Sequence, residues 1–258
     1  MTELQAVRAA DVLSRLESLH TEKPRGAAAF DGDGTLWSGD VGEDFFFSFV
    51  EHGDIREPAV RALGELAHAR GIDRKGDGSQ LARRLFAAYE RGDFPEELIC
   101  EVIAWLPAGW GTAELAAWTR TTLTAPAVRS RLQEETLAVL EGARRLGIEV
   151  FVISASPRVV VEVAALVAGV DAAHVLAATP GTKADRVEAR IAERIPYGAG
   201  KVVHLRGAIG ERPLLVACGD NAFDADLLRE ATVACAVRPK PRLLACAETV
   251  PGLRRLER

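Results

Sequence analysis

Apolar positions recur at helical spacing over residues 5–20, where Val7, Ala10, Val12, Leu13, Leu16 and Leu19 form a one-sided stripe. After a break at Pro24 and Gly26, four apolar residues, 27–30, run straight into Asp31-Gly32-Asp33-Gly34-Thr35. So short a run between turn residues predicts a buried strand with two acids at its carboxyl end. From about 41 to 147 the texture is nearly all helical. Segments 58–70, 80–91, 96–106, 112–121 and 130–146 are separated by Pro/Gly punctuation at 107–109 and 125–126, and Pro95 opens the third of them with acids behind it. Strand and helix then alternate: strands at 148–153, 173–177, 213–218 and 233–237, and helices at 158–168, 201–209 and 222–230.

Such alternation predicts an α/β fold with a doubly wound parallel sheet, whose ligands bind outside the carboxyl ends of the strands. At 258 residues the chain is longer than one typical domain, and the helical stretch accounts for the excess. The expected division is a core of residues 1–40 and 136–258 and a helical cap of residues 41–135, hinged near 38–42 and 125–131, where Gly and Pro permit movement. With 48% apolar and 27% charged residues, the composition excludes disorder and coiled coil.

A net charge of −5 and the lack of any long Lys/Arg run argue against a nucleic-acid partner. Arg238, Lys240, Arg242, Arg254, Arg255 and Arg258 are expected to decorate a solvated surface. The N-terminus mixes charge with apolar residues and lacks a signal peptide's continuous apolar region. No run approaches the ~18 apolar residues of a membrane span, so no membrane partner and a cytoplasmic location are expected. Cys100, Cys218, Cys235 and Cys246 lack zinc-ligand spacing and read as small hydrophobes. The five histidines are scattered and receive no role.

Four motifs fall at strand ends or helix starts. Asp31 and Asp33 close the first strand. Ser154 and Ser156 end the run 148–153, and Ser156-Pro157 reads as a helix cap, which leaves Ser154 as the ligand contact. Lys201 opens a helix, in a setting that lacks the glycine and hydroxyl pattern of a P-loop. Asp220 and Asp224 follow the strand 213–218. Three carboxylates from two strands suit a hard dication such as Mg²⁺, which commonly binds few carboxylates plus substrate phosphate. A hydroxyl and an ammonium converging there would neutralise phosphate oxygens, as in a phosphoryl-transfer centre.

In order and strand context these motifs resemble the haloacid dehalogenase superfamily, in particular its phosphoserine phosphatase-like branch with a helical cap. The resemblance spans about residues 26–240. It implies that Asp31 is a nucleophile forming a phosphoaspartate and that Asp33 is the acid that protonates the leaving alcohol and later activates water. Asp31, the backbone carbonyl of Asp33 and Asp220 would bind Mg²⁺, Asp224 would support them, and Ser154 and Lys201 would hold phosphoryl oxygens. The implied activity is Mg²⁺-dependent hydrolysis of a small phosphomonoester. A phosphotransferase or mutase would use the same aspartyl phosphate; a dehalogenase would not need Asp33, and a phosphoaspartate signalling module would not need the cap.

Three positions bear on specificity through the same resemblance. Asp40 stands where relatives have a Glu that meets the substrate ammonium, Glu101 where they have a carboxylate-binding Arg, and Phe223 where they often have Asn. A substrate carboxylate would then meet repulsion from Glu101. An amino-alcohol or choline-type phosphate would suit acids combined with Trp37, Trp105, Trp110 and Trp118 around a cation; the alternative makes those aromatics packing residues.

Overall fold

In the computed structural model of the protein, residues 4–257 are described; Arg258, one of the expected surface cations, lies outside them. Seven parallel strands form one sheet in the order β1-β9-β8-β7-β2-β3-β4. They are β1 Ala6–Arg8, β2 Ala27–Asp31, β3 Glu149–Pro157, β4 Val175–Ala178, β7 Leu214–Gly219, β8 Ala231–Val237 and β9 Arg254–Glu257. Strands β5 Pro180–Lys183 and β6 Arg186–Ile191 form a separate antiparallel hairpin.

β2 is buried throughout, and its alternate residues enter opposite faces of the sheet. Ala28 and Phe30 pack with Leu16, Leu19, Val139 and Val161 of α1 Ala9–Glu22, α8 Glu134–Arg145 and α9 Arg158–Val167. Ala27 and Ala29 pack with Leu205, Leu227 and Leu243 of α10 Ala199–Ile209, α11 Ala225–Glu230 and α12 Pro241–Ala245. The chain moves from β2 to β3 on one side and later returns to β7 on the other. The sheet therefore reverses winding beside β2, where a crevice opens at the strand ends.

The helical stretch between β2 and β3 consists of α2 Val41–His52, α3 Glu57–Ala69, α4 Gly78–Glu90, α5 Glu96–Trp105, α6 Thr112–Thr122 and α7 Ala125–Arg129. Three of the four Phe side chains of α2, Phe45, Phe46 and Phe49, are buried in the same hydrophobic cluster as Phe30, while Phe47 is exposed. The helical layer and the sheet thus share one continuous core, with α9 touching α2, α6 and α7.

Several local expectations need correction. The first helix starts at Ala9, because Ala6–Arg8 pairs with β9. The segment 130–146 is broken, with α8 beginning only at Glu134. The polar hairpin joins the helical layer: Gly109 N donates to Val187 O (2.8 Å) and Val187 N to Trp110 O (3.0 Å). Its two-residue turn uses Ala184 and Asp185, both at positive φ, the geometry that twists a tight hairpin correctly but with neither of its usual glycine signals. No helix among the described residues is long and apolar enough to cross a membrane.

Candidate active site

β2 and β7 are neighbours in the sheet, so Asp31 and Asp220 arrive side by side at their carboxyl ends, both almost fully buried. Lys201, on α10, has no exposed surface and donates to Asp31 Oδ1 and Asp224 Oδ1, each at 2.5 Å. Asp224 Oδ2 accepts from the backbone N–H groups of Asp220 (3.0 Å) and Asn221 (2.9 Å). Both of its oxygens are therefore engaged, which makes Asp224 a brace for the loop and for the lysine.

Asp31 and Asp220 differ from it in the same way. Asp31 Oδ1 is taken by Lys201, and Asp220 Oδ2 is paired with Lys240 Nζ at 2.9 Å. Asp31 Oδ2 and Asp220 Oδ1 are buried with no hydrogen-bond partner. Leaving a buried carboxylate oxygen without a partner is costly, and Asp31, Asp220 and Asp224 offer ligand atoms within 4.8 Å of one another. Unpartnered hard oxygens in such a cluster of carboxylates fit a divalent cation such as Mg²⁺. Gly34, at φ +80°, keeps the neighbouring turn close, and a Cβ there would collide with the Asp220 carboxylate.

The electrostatics follow from burial. Asp31 is held well above the usual carboxylate range by desolvation and by the charges of Asp224 and Asp220, against the pull of Lys201. Asp220 is pushed up to about 6 by the same effects, opposed by Lys240. Burial would lower the Lys201 ammonium, but Asp224 and Asp31 hold it above its ordinary value.

Asp33 faces elsewhere. Its Oδ1 accepts from Trp37 Nε1 (2.7 Å) and Val41 N (2.6 Å), and its Oδ2 from Ser156 Oγ (2.7 Å) and Ser154 Oγ (3.3 Å). Ser154 and Ser156 lie two residues apart on β3 and so project to one side. The expected capping role of Ser156 is not realised: Pro157 is the N-cap residue of α9, and no side chain caps that helix. Ser156 fits because position 42 is glycine; a Cβ there would stand 2.5 Å from Ser156 Oγ.

A cavity of about 690 Å³ opens over these groups, lined by Asp31, Asp33, Ser154 and Asn221 on the sheet side. Asp40 and Phe223 line it as well. Asp40 Oδ1 caps α2 by accepting from Glu43 N (2.8 Å), and burial beside Asp33 raises its carboxyl well above the usual range. The Phe223 ring lies 5.0 Å from Lys201 Nζ.

Glu101 is not a lining residue. On α5 the cavity is met by Glu96, Ile99, Cys100 and Ile103, one face at i, i+3, i+4 and i+7. A residue one step past Cys100 is rotated about 100° away, so the expected repulsion of a substrate carboxylate by Glu101 does not arise. The four tryptophans form no cage around the cavity. Trp110 and Trp118 pack with Phe49, Trp105 belongs to the same core cluster, and Trp37 is fully buried with its indole on Asp33.

Arg238, Lys240 and Arg242 are exposed, as expected, and they also have acidic partners. Lys240 and Arg242 line the cavity, the first on Asp220 and the second on Glu96 at 2.8 Å, while Arg238 pairs with the buried Glu135 at 3.0 Å. Sequence reasoning missed Trp37, Ser156, Lys240 and Arg242. Strand periodicity alone could have paired Ser156 with Ser154, and the loop after β8 is a strand-end loop of the kind that carries ligands.

Comparison with known proteins agrees with this architecture. A protein of unknown function from Bordetella pertussis Tohama I is 25% identical, with a TM-score of 0.67 over 90% of this chain and 98% of that one. A HAD family hydrolase from Salmonella enterica serovar Typhi is 16% identical, with a TM-score of 0.55 over 95% of this chain and 75% of its own. A substrate-bound phosphoserine phosphatase is 14% identical, with a TM-score of 0.52 over 89% and 92%. No curated protein matches the sequence. The family model for haloacid dehalogenase-like hydrolases matches residues 28–229, a stretch that runs from the strand bearing Asp31 through the loop bearing Asp220 and Asp224, and the chain belongs to that family.

Proposed function

We propose that the protein is a Mg²⁺-dependent hydrolase of small phosphomonoesters that works through an aspartyl phosphate. The observation that carries this reading is the matched pair of half-satisfied carboxylates, Asp31 and Asp220, each with one oxygen on a lysine and one buried oxygen unpartnered. Asp31 Oδ2, Asp220 Oδ1 and the backbone carbonyl of Asp33 would hold the cation. When bound, it supplies positive charge that lets an anionic nucleophile approach an anionic ester.

The remaining work falls to the chain's own residues. A carboxylate oxygen of Asp31 attacks phosphorus, the bond to the ester oxygen breaks, and Asp33 gives that oxygen its proton. Asp33, now ionised, takes a proton from water as the water oxygen attacks phosphorus, and the phosphoryl–Asp31 bond breaks to release phosphate. Lys201 and Ser154 would meet the equatorial oxygens, a fixed electrostatic environment requiring little reorganisation. The hydroxyls of Ser154 and Ser156 can turn from donor to acceptor, so they can hold Asp33 in both protonation states.

The test is phosphate release with p-nitrophenyl phosphate and Mg²⁺. Asp31→Asn is expected to abolish release, and full chelation of divalent metal to abolish it reversibly. Turnover retained by Asp31→Asn would refute the nucleophile, and turnover that survives chelation would refute the metal site.

A further inference from the structure

The cavity wall contributed by the helical layer is largely apolar, with Phe86, Tyr89, Ile99, Cys100 and Ile103, and Glu43 and Glu96 are its charged members besides Asp40. No Lys, Arg or His from that layer lines the cavity among the described residues. The two cations that do, Lys240 and Arg242, come from the sheet side and are paired with Asp220 and Glu96. A carboxylate on the substrate would therefore find no unpaired cation. Glu43 is half-buried, and its carboxylate makes no hydrogen bond or ion pair among the described residues, whereas Asp40 is engaged as a helix cap. Burial and the charges of Asp33, Glu90 and Asp44 raise the Glu43 carboxyl against the pull of Lys240, which is itself paired with Asp220, so the surroundings of Glu43 are predominantly acidic and suit an added cation. The cavity, of about 690 Å³, extends from Asp31 to the apolar wall of the helical layer and leaves room for a body beyond the phosphoryl group.

We infer that the alcohol released is a hydrophobic amino alcohol: an aromatic or branched-alkyl body against Phe86, Tyr89, Ile99 and Ile103, with its ammonium on Glu43. This rests on the phosphomonoesterase reading and adds the substrate class. Burying an aromatic body in place of a small polar one is worth on the order of 10–100-fold in kcat/KM, and the ammonium on the Glu43 carboxylate about another tenfold.

The experiment measures phosphate release by the full chain with Mg²⁺ from four esters: phenylalaninol phosphate, 3-phenylpropyl phosphate, which lacks only the amine, phosphoethanolamine and phosphoserine. Phenylalaninol phosphate is expected to exceed phosphoethanolamine and phosphoserine at least tenfold in kcat/KM, and 3-phenylpropyl phosphate about tenfold. Glu43→Gln, checked for an unchanged melting curve, is expected to bring the ratio of the two phenyl esters towards one. Phosphoserine or phosphoethanolamine turned over as well as phenylalaninol phosphate would overturn the inference, as would a ratio unmoved in Glu43→Gln. Failure to release phosphate from any of the four or from p-nitrophenyl phosphate would instead overturn the phosphatase reading, and the inference with it.

Discussion

Lys201→Met removes an ammonium that bridges two buried carboxylates while keeping a side chain of similar length. Nζ lies 2.5 Å from both Asp31 and Asp224, and the side chains concerned are at most 3% exposed. Breaking one such buried pair typically costs about 3–5 kcal/mol, because the partner charge stays behind without compensation. For a chain of this size each kcal/mol moves Tm by roughly 2–4 °C, so the expected loss is about 6–20 °C, measured by calorimetry at pH 8 in chelator. The sign of the pH effect is fixed by Asp31, whose folded-state pKa is already raised and rises further without the lysine. A raised carboxyl contributes stability at low pH and loses it as pH increases through the folded value. The gap between variant and wild type is therefore expected to shrink on going from pH 8 to pH 5.5. A variant within 2 °C of wild type at pH 8, or a gap that does not narrow in acid, would refute the account of Lys201 as the neutralising centre.

Ser156→Ala removes a 2.7 Å hydrogen bond to Asp33 and is expected to lower kcat on alkyl phosphates about tenfold or more. The pre-steady-state burst with p-nitrophenyl phosphate, whose leaving group needs no proton, should fall much less. Gly34→Ala drives a methyl group into Asp220 from a positive-φ position, and titration calorimetry should show at least tenfold weaker Mg²⁺ binding; unchanged affinity would separate Gly34 from the metal site. The metal-free protein should be more stable at pH 5 than at pH 7.5, because Asp220 titrates near 6 in the fold against about 4 unfolded. Between pH 5 and pH 7.5 that shift corresponds to about 1 kcal/mol by linkage, and saturating Mg²⁺ should erase much of it in a thermal melt.

The strands that carry chemistry were legible because both of their faces are buried, which makes each a continuous apolar run ended by an acid or hydroxyl. β2, β3 and β7 are such runs, and Asp31, Ser154 and Asp220 follow from their ends. The edge was not legible: β1 is three residues, β9 reads Arg-Arg-Leu-Glu, and neither carries an alternation that distinguishes strand from loop. The hairpin β5–β6 was missed because its partners, the 109–112 turn and α5, lie about 75 residues away in sequence. Glu101 shows a different limit: an ungapped match fixes position along a helix, but a one-residue slip turns a side chain by 100°. The tryptophans were open between a cation site and packing, and the packing alternative holds: Trp37 serves Asp33, while Trp110 and Trp118 serve the core.

The four donors on Asp33 have a consequence for how the two layers communicate. Two of them, Ser154 and Ser156, belong to the central sheet; the other two, Trp37 Nε1 and Val41 N, belong to the segment that leads into the helical layer. Any displacement of that layer that carries Val41 away from β3 changes the number of N–H and O–H groups stabilising a carboxylate. The hydrogen bonding of the Asp33 carboxylate and the position of the helical layer are therefore tied through the same side chain.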